Sequence, residues 1–265
     1  MEAIRLSELT LIGEGREAEV FALDSDRVLR LARHASSAAA VDAEHAALTA
    51  AASVGAPVPS VHERVDVEGR PGLVLSRLGE RNLLLEIGER PWRVWAISRS
   101  LGRLHARIHD AQGPHVLVSV RERLRERLAS PLVPEEVRER SLARLDALPD
   151  GDRLCHGDFH PGNVLTGGDG TAVAIDWTGA CRGDPSADVA RSFLIIRFGT
   201  VGPDATAAVA ALARVGRRVL WRGYAGAYGV DRAALERWLP VVAAARLAED
   251  IKGERPRLLE LAGRA

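Results

Sequence analysis

Residues 155–188 read CHGDFHPGNVLTGGDGTAVAIDWTGACRGDPSAD, and this stretch decides how the rest of the chain is understood. Its fixed points are His156, Asp158 and Asn163, then a turn, an apolar run and Asp176-Trp177. Asn163-Val164-Leu165-Thr166 enters a strand, Gly167-Gly168-Asp169-Gly170 is dense in turn formers, and Ala172-Val173-Ala174-Ile175 returns as an apolar strand. That hairpin brings Asp176 beside Asn163. Alone, a His-Gly-Asp is an ordinary polar loop, and an Asp after an apolar strand is often a helix cap. The two blocks carry weight because they occur together at this spacing.

The order matches the catalytic loop and metal-binding aspartate of the protein-kinase signature set. The segment resembles the aminoglycoside phosphotransferase and choline kinase superfamily, with its His-Gly-Asp-(Phe/Leu)-His-Pro-Gly-Asn and Ile-Asp-Trp blocks. Here these stand as His156–Asn163 and Ile175-Asp176-Trp177. The resemblance implies an α+β, bilobal protein-kinase-like fold with ATP or GTP and Mg²⁺ between the lobes. Phosphoryl transfer needs little beyond positioning and charge neutralisation: a carboxylate for the acceptor hydroxyl and hard oxygen ligands for the metal. By resemblance, Asp158 takes the first task, and Asn163 and Asp176 the second.

Composition narrows the classes. The chain has 265 residues, 46% hydrophobic and 27% charged, with 36 basic against 36 acidic side chains. That supports a real core and argues against a nucleic-acid or membrane-surface partner. No apolar run approaches the ~20 residues of a membrane span, and MEAIRLSELTLIGEG lacks a signal-peptide pattern, so a cytoplasmic protein is expected. Cys155 and Cys181 are expected to be reduced and structural.

Toward the N-terminus, an apolar Leu9–Ile12 precedes Gly13-Glu14-Gly15 and a second strand through Phe21. In the resemblance this is the hairpin over the phosphates, where Gly13 and Gly15 let backbone N–H groups approach. Glu14, Glu17 and Glu19 suit that role only if they point outward. Val28, Arg30 and Ala32 share a face of the next strand. The family carries Val-x-Lys there, so Arg30 stands where a lysine normally grips phosphate; Lys252 is the sole lysine. Arginine keeps the charge but not the geometry of an ammonium. A helix is expected through Ala38–Ser53, capped by Ser36-Ser37 and stopped at Gly55, and the resemblance makes its Glu44 the partner of Arg30. A hairpin around residues 68–72 follows, then the crossing near Leu78, where Ser76 and Leu78 are expected at the nucleotide base. The expected lobes are 1–78, nucleotide-binding, and 79–265, catalytic and acceptor-binding.

Beyond the crossing, Trp92, Trp95, Leu101, Leu104, His105 and Ile108 recur at helical spacing and read as core. Charged helices are expected over about 119–128 and 134–148. Gly183-Asp184-Pro185-Ser186-Ala187-Asp188 matches a family block in which Asp188 supports the catalytic loop, with Ser186 a candidate helix cap. The short connection after Asp176 and the absence of Ala-Pro-Glu make the chain a poor candidate for a protein kinase of the usual type. The remainder reads as helices from Pro203 to Tyr228 and from Asp231 to Ile251, kinked at Pro240.

The acceptor is expected to be a small-molecule alcohol, on an aminoglycoside-like antibiotic in the first reading, and the enzyme a monomer or homodimer. A polycationic acceptor wants an acidic pocket, a choline-like one aromatics. The acids of the last helices (Asp231, Glu236, Glu249, Asp250, Glu254) read as solvated surface. Arg30 leaves a second reading open, a nucleotide-binding regulatory module without transfer activity.

Overall fold

The computed structural model describes residues 4–15, 17–79, 81–167, 170–199 and 207–264. The expected start of a helix at Pro203 and the tip of the 167–170 turn lie outside them.

The first third of the chain forms a five-stranded antiparallel sheet. Its strands are β1 (Thr10–Glu14), β2 (Ala18–Ala22), β3 (Arg27–Ala32), β4 (Val61–Val67) and β5 (Arg70–Ser76), in the order β1-β2-β3-β5-β4. Helix α1 (Ala38–Ser53) packs on it, burying Val41, Ala47, Leu48 and Ala51. Its alanines favour helix, and Gly55, at φ +76°, ends it. The expected serine cap is not made: Ser37 contributes no side-chain bond, because a 3₁₀ turn over Ala35–Ser37 leads directly into the helix. The β4–β5 turn is tighter than expected. Glu68 and Gly69 both adopt positive φ, so Arg70 and Pro71 already belong to the strand.

Past the crossing the chain is mostly helical. Asn82 caps α2 (Leu83–Glu89), and α3 (Val94–Asp110) follows a turn at Pro91. The core face of α3 carries Ile97, Leu101, Leu104, His105 and Ile108. The tryptophans do not join it. Trp92 is 76% exposed and Trp95 49%, because the aliphatic residues already fill that face. A full capping box of Ser119 and Glu122 starts α4 (Val120–Leu128), and α5 (Glu135–Ala147) lies beside it.

Two small sheets hold the decisive stretch. β6 (Arg153–Cys155) pairs with β9 (Cys181–Gly183), and β7 (Val164–Thr166) with β8 (Ala172–Ala174). Cys155 and Cys181 face each other in register as buried free thiols. Helix α6 (Pro185–Phe198) is capped by Asp184, whose carboxylate accepts from the N–H of Ser186; Ser186 is thus the recipient of the cap and not its donor. The end of the chain supplies α7 (Ala207–Tyr228), α8 (Arg232–Arg246) and α9 (Arg255–Ala262). Asp231 caps α8, which contains Pro240 and ends before Ile251 in a 3₁₀ turn, Leu247–Glu249. α7 packs along α3, and α8 packs against α4, α5 and α6. Among the described residues no helix is long and apolar enough to cross a membrane.

Candidate active site

A cleft of about 540 Å³ lies where the sheet meets the β7–β8 hairpin. Gly13 and Gly15 border it from the β1–β2 turn, Arg30 from β3, Glu44 from α1, and Ser76 and Leu78 from the crossing. Asp158, Asn163 and Asp176 border it from the opposite side. The residues expected at the phosphates, the base, the metal and the acceptor hydroxyl thus border one space, although they come from widely separated parts of the chain, whereas His156 and Asp188 lie buried behind it.

His156 organises the floor. Its Nδ1 accepts from the Asp158 N–H (3.2 Å), which leaves Nε2–H to donate to the Ile175 carbonyl (3.0 Å). One buried ring therefore ties the loop carrying Asp158 to the strand end carrying Asp176. Gly157 holds φ +79°, and a Cβ there would lie 2.0 Å from the Gly179 carbonyl oxygen, so only glycine fits. Asn163 Nδ2 donates to the Asp158 carbonyl (2.9 Å) and to Asp158 Oδ2 (3.2 Å). That orientation turns the amide oxygen of Asn163 away from Asp158 and leaves it as the ligand-type atom. Asp176 sits at φ +60°, and its Oδ1 accepts from the Thr178 hydroxyl (2.8 Å). An amide oxygen and a carboxylate, both hard donors, suit Mg²⁺.

Below the loop, Asp188 accepts from His156 N–H at Oδ2 (2.6 Å) and from Gly157 N–H at Oδ1 (3.0 Å). His105 and His109 also converge on Oδ2, at 3.1 and 3.2 Å. Their other nitrogens meet the hydroxyls of Tyr224 and Tyr228. Burial pushes the His105 pKa down to about 3, so its ring is neutral, with Nε2–H donating and Nδ1 accepting. The ligand-type atoms of His105, His109 and Asp188 lie within 4.8 Å of one another, yet each is committed to a hydrogen bond. The cluster is a support for the loop.

Two features had no signal in the motifs. Arg191, three residues beyond Asp188 on α6, donates from Nη2 to Asp158 Oδ1 (2.8 Å) and from Nη1 to Glu249 Oε1 (2.5 Å). Burial opposes charge on Asp158, but His160 and Arg191 outweigh it and hold its carboxyl far below the usual range. Asp158 is therefore ionised and a weak proton acceptor, suited to orienting a hydroxyl more than to deprotonating it in advance. The second feature concerns the glycine turn. Arg33 pairs with Glu14 and Glu19, and Arg70 with Glu19, so these two acids are neutralised at the edge of the cleft.

The cation-to-acid pairing expected for β3 and α1 is present: Arg30 Nη1 lies 2.5 Å from Glu44 Oε2. Glu44 is 2% exposed, and burial, opposed by Arg30, pushes its pKa up to about 7. Between about 4.5 and 7 the folded state then holds a proton that the unfolded state has lost. Stability from this group is full below pH 4.5 and falls as pH rises through 7, by about 3 kcal/mol. Chemical denaturation of wild type and Glu44→Gln across that window checks this. The stability difference, wild type minus variant, should shrink by that order; a constant difference contradicts the assignment.

The model of the phosphotransferase enzyme family matches residues 8–228, and the chain belongs to that family. No curated protein sequence matches the chain. Among solved structures, it resembles the aminoglycoside phosphotransferase APH(3'')-Id from Streptomyces rimosus at 20% identity and TM-score 0.57, covering 89% of this chain and 92% of that one. It also resembles a thermostable mutant of the aminoglycoside phosphotransferase APH(4)-Ia in a ternary complex with ADP and hygromycin B, at 18% identity, TM-score 0.62 and 97% and 91% coverage. A third is the GDP and kanamycin complex of APH(2")-IIia, at 18% identity, TM-score 0.57 and 97% and 90% coverage. The mixed α+β fold is that of these kinases.

Proposed function

We propose that this phosphotransferase moves the γ-phosphate of ATP, or of GTP, to a hydroxyl group of a small acceptor in the cytoplasm. Residues 1–78 would form the nucleotide-binding lobe and 79–265 the catalytic and acceptor lobe. The observation that carries the proposal is the convergence of Asp158, Asn163, Asp176 and the Arg30–Glu44 pair on one cleft.

The base of the nucleotide fits the crossing. The Ser76 N–H donates to the Ser60 carbonyl, and the Ser76 hydroxyl accepts from the Ser60 N–H, which stiffens the strand end beside Leu78. Gly79 N–H donates to the Thr166 carbonyl (3.0 Å), and a Cβ there would meet that oxygen at 2.2 Å. The crossing is thereby pinned to the β7–β8 hairpin. Gly13 and Gly15, lacking side chains, let the β1–β2 turn approach the phosphates, although the Gly15 N–H is itself spent on the Ala18 carbonyl (2.9 Å), and Arg30, braced by Glu44, supplies charge. Mg²⁺, held by Asn163 and Asp176, would neutralise charge building on the transferred group. Asp158, aligned by Arg191 and Asn163, accepts the hydrogen bond of the acceptor hydroxyl and takes its proton as the phosphorus–oxygen bond forms.

The test is Mg²⁺-dependent ADP release measured across neutral, acidic and aminoglycoside-like alcohols, since several structural neighbours hold aminoglycosides. Turnover above the rate with water, on at least one acceptor, is expected. Nucleotide binding with no ADP from any acceptor would favour the regulatory reading that Arg30 raises. Replacing Arg30 by Met should lower kcat/KM about 10²-fold, the scale of one charged phosphate contact. An unchanged value would remove Arg30 from the phosphate site.

A further inference from the structure

Beside the catalytic loop lies a second, small cavity of about 40 Å³, bordered by Gly157, Asp188 and Arg123, Arg127 and Arg191. Arg123 and Arg127 come from α4 and Arg191 from α6. It is large enough for water or one small polar group.

The hydrogen bonding around it is incomplete on the positive side. Arg191 is 9% exposed; its two terminal nitrogens are used on Asp158 and Glu249, but its Nε is buried with no partner. Arg123 repeats the pattern: Nη2 donates to the Ala180 carbonyl (3.2 Å), while Nε is buried and unpartnered. Among the described residues Arg127 pairs with Glu249 alone (3.0 Å); burial and the charges of Arg191 and Arg123 push its pKa down to about 10.

The nearby acids are already spent. Asp188 receives the two loop amides and two imidazoles. Glu249 is shared by Arg127, Arg191 and Arg246, and Arg246 is also clamped by Glu254. Glu254 is 3% exposed, so it and Glu249 are not the solvated acids the sequence suggests, and Asp231 is used as a cap. Nothing acidic in this set remains for a polycation, whereas buried guanidinium N–H groups call for an anionic oxygen.

Resting on the phosphotransferase reading, we propose that this cavity receives an anionic oxyacid group of the acceptor, a carboxylate or a phosphate ester, on the Nε–H groups of Arg191 and Arg123. The acceptor is then an acidic alcohol. In a guanidinium, Nε and Nη2 lie on one edge. An anion on Nε of Arg191 would thus sit beside the Asp158 carboxylate that Nη2 holds, within reach of an acceptor whose hydroxyl meets Asp158.

Calorimetric titration with inorganic phosphate, and separately with acetate, tests this with the nucleotide cleft first saturated by the Mg²⁺ complex of a non-hydrolysable ATP analogue. Wild type should bind at least one of the two anions, and which one distinguishes a phosphate ester from a carboxylate. Arg123→Met should weaken that binding at least tenfold while leaving analogue binding unchanged. Arg127→Met, which keeps the Arg123 bond to Ala180, provides a second variant should the first misfold, with the same direction of effect. Analogue binding without any anion binding, or anion binding equal in wild type and the folded variants, overturns the cavity proposal alone. Failure of the analogue itself to bind overturns the phosphotransferase reading on which it rests.

Discussion

Replacing Asp158 by Asn is expected to reduce phosphoryl transfer by about 10²–10⁴-fold while leaving nucleotide binding intact. The asparagine keeps the shape of the side chain and can still accept from Arg191, but it cannot take the hydroxyl proton. Asp158 is ionised because Arg191, three residues beyond Asp188 on α6, holds its Oδ1 and His160 stands 3.7 Å from its Oδ2. Steady-state kinetics paired with nucleotide titration separate the two effects. Undiminished turnover would remove Asp158 from the reaction, and lost nucleotide affinity would make it a binding residue.

The second large effect concerns stability. Asp188→Ala should cost about 3–5 kcal/mol, because it strands the N–H groups of His156 and Gly157 together with Nε2 of His105 and His109 in a buried site. Asp188→Asn should rescue little. An amide oxygen satisfies one side, but the amide N–H₂ then faces other donors. Urea denaturation of the three proteins checks this, with turnover as a parallel readout, since Asp188 positions the loop that carries Asp158. A loss below 1 kcal/mol would show that the imidazoles and loop amides find other partners.

How much was legible in the sequence depended on how local the signal was. Helix α1 follows from alanine content and a positive-φ glycine, and the β7–β8 hairpin from turn formers between apolar runs. The meeting of Arg30 with Glu44 followed from the resemblance of the whole segment, since periodicity does not assign Glu44 a face. The short α2 and α9 left no clear pattern. Trp92 and Trp95 sit at helical spacing with true core residues, but spacing does not say which face is already full. The Asp158–Arg191–Glu249 chain joins residues 33 and 58 apart, so no window of sequence displays it. In hindsight, Asp188 and Arg191 at i and i+3 lie on one face of α6, and that face meets the catalytic loop.

The cleft between Arg30 and Asp176 is expected to hold a metal-bound nucleoside triphosphate. A thermal-shift titration with ATP and GTP, each with and without Mg²⁺, tests it most directly. At a hundredfold excess over its dissociation constant, a bound nucleotide should stabilise the fold by ~2.7 kcal/mol. A metal-dependent shift with at least one nucleotide is expected. No shift with either would contradict it.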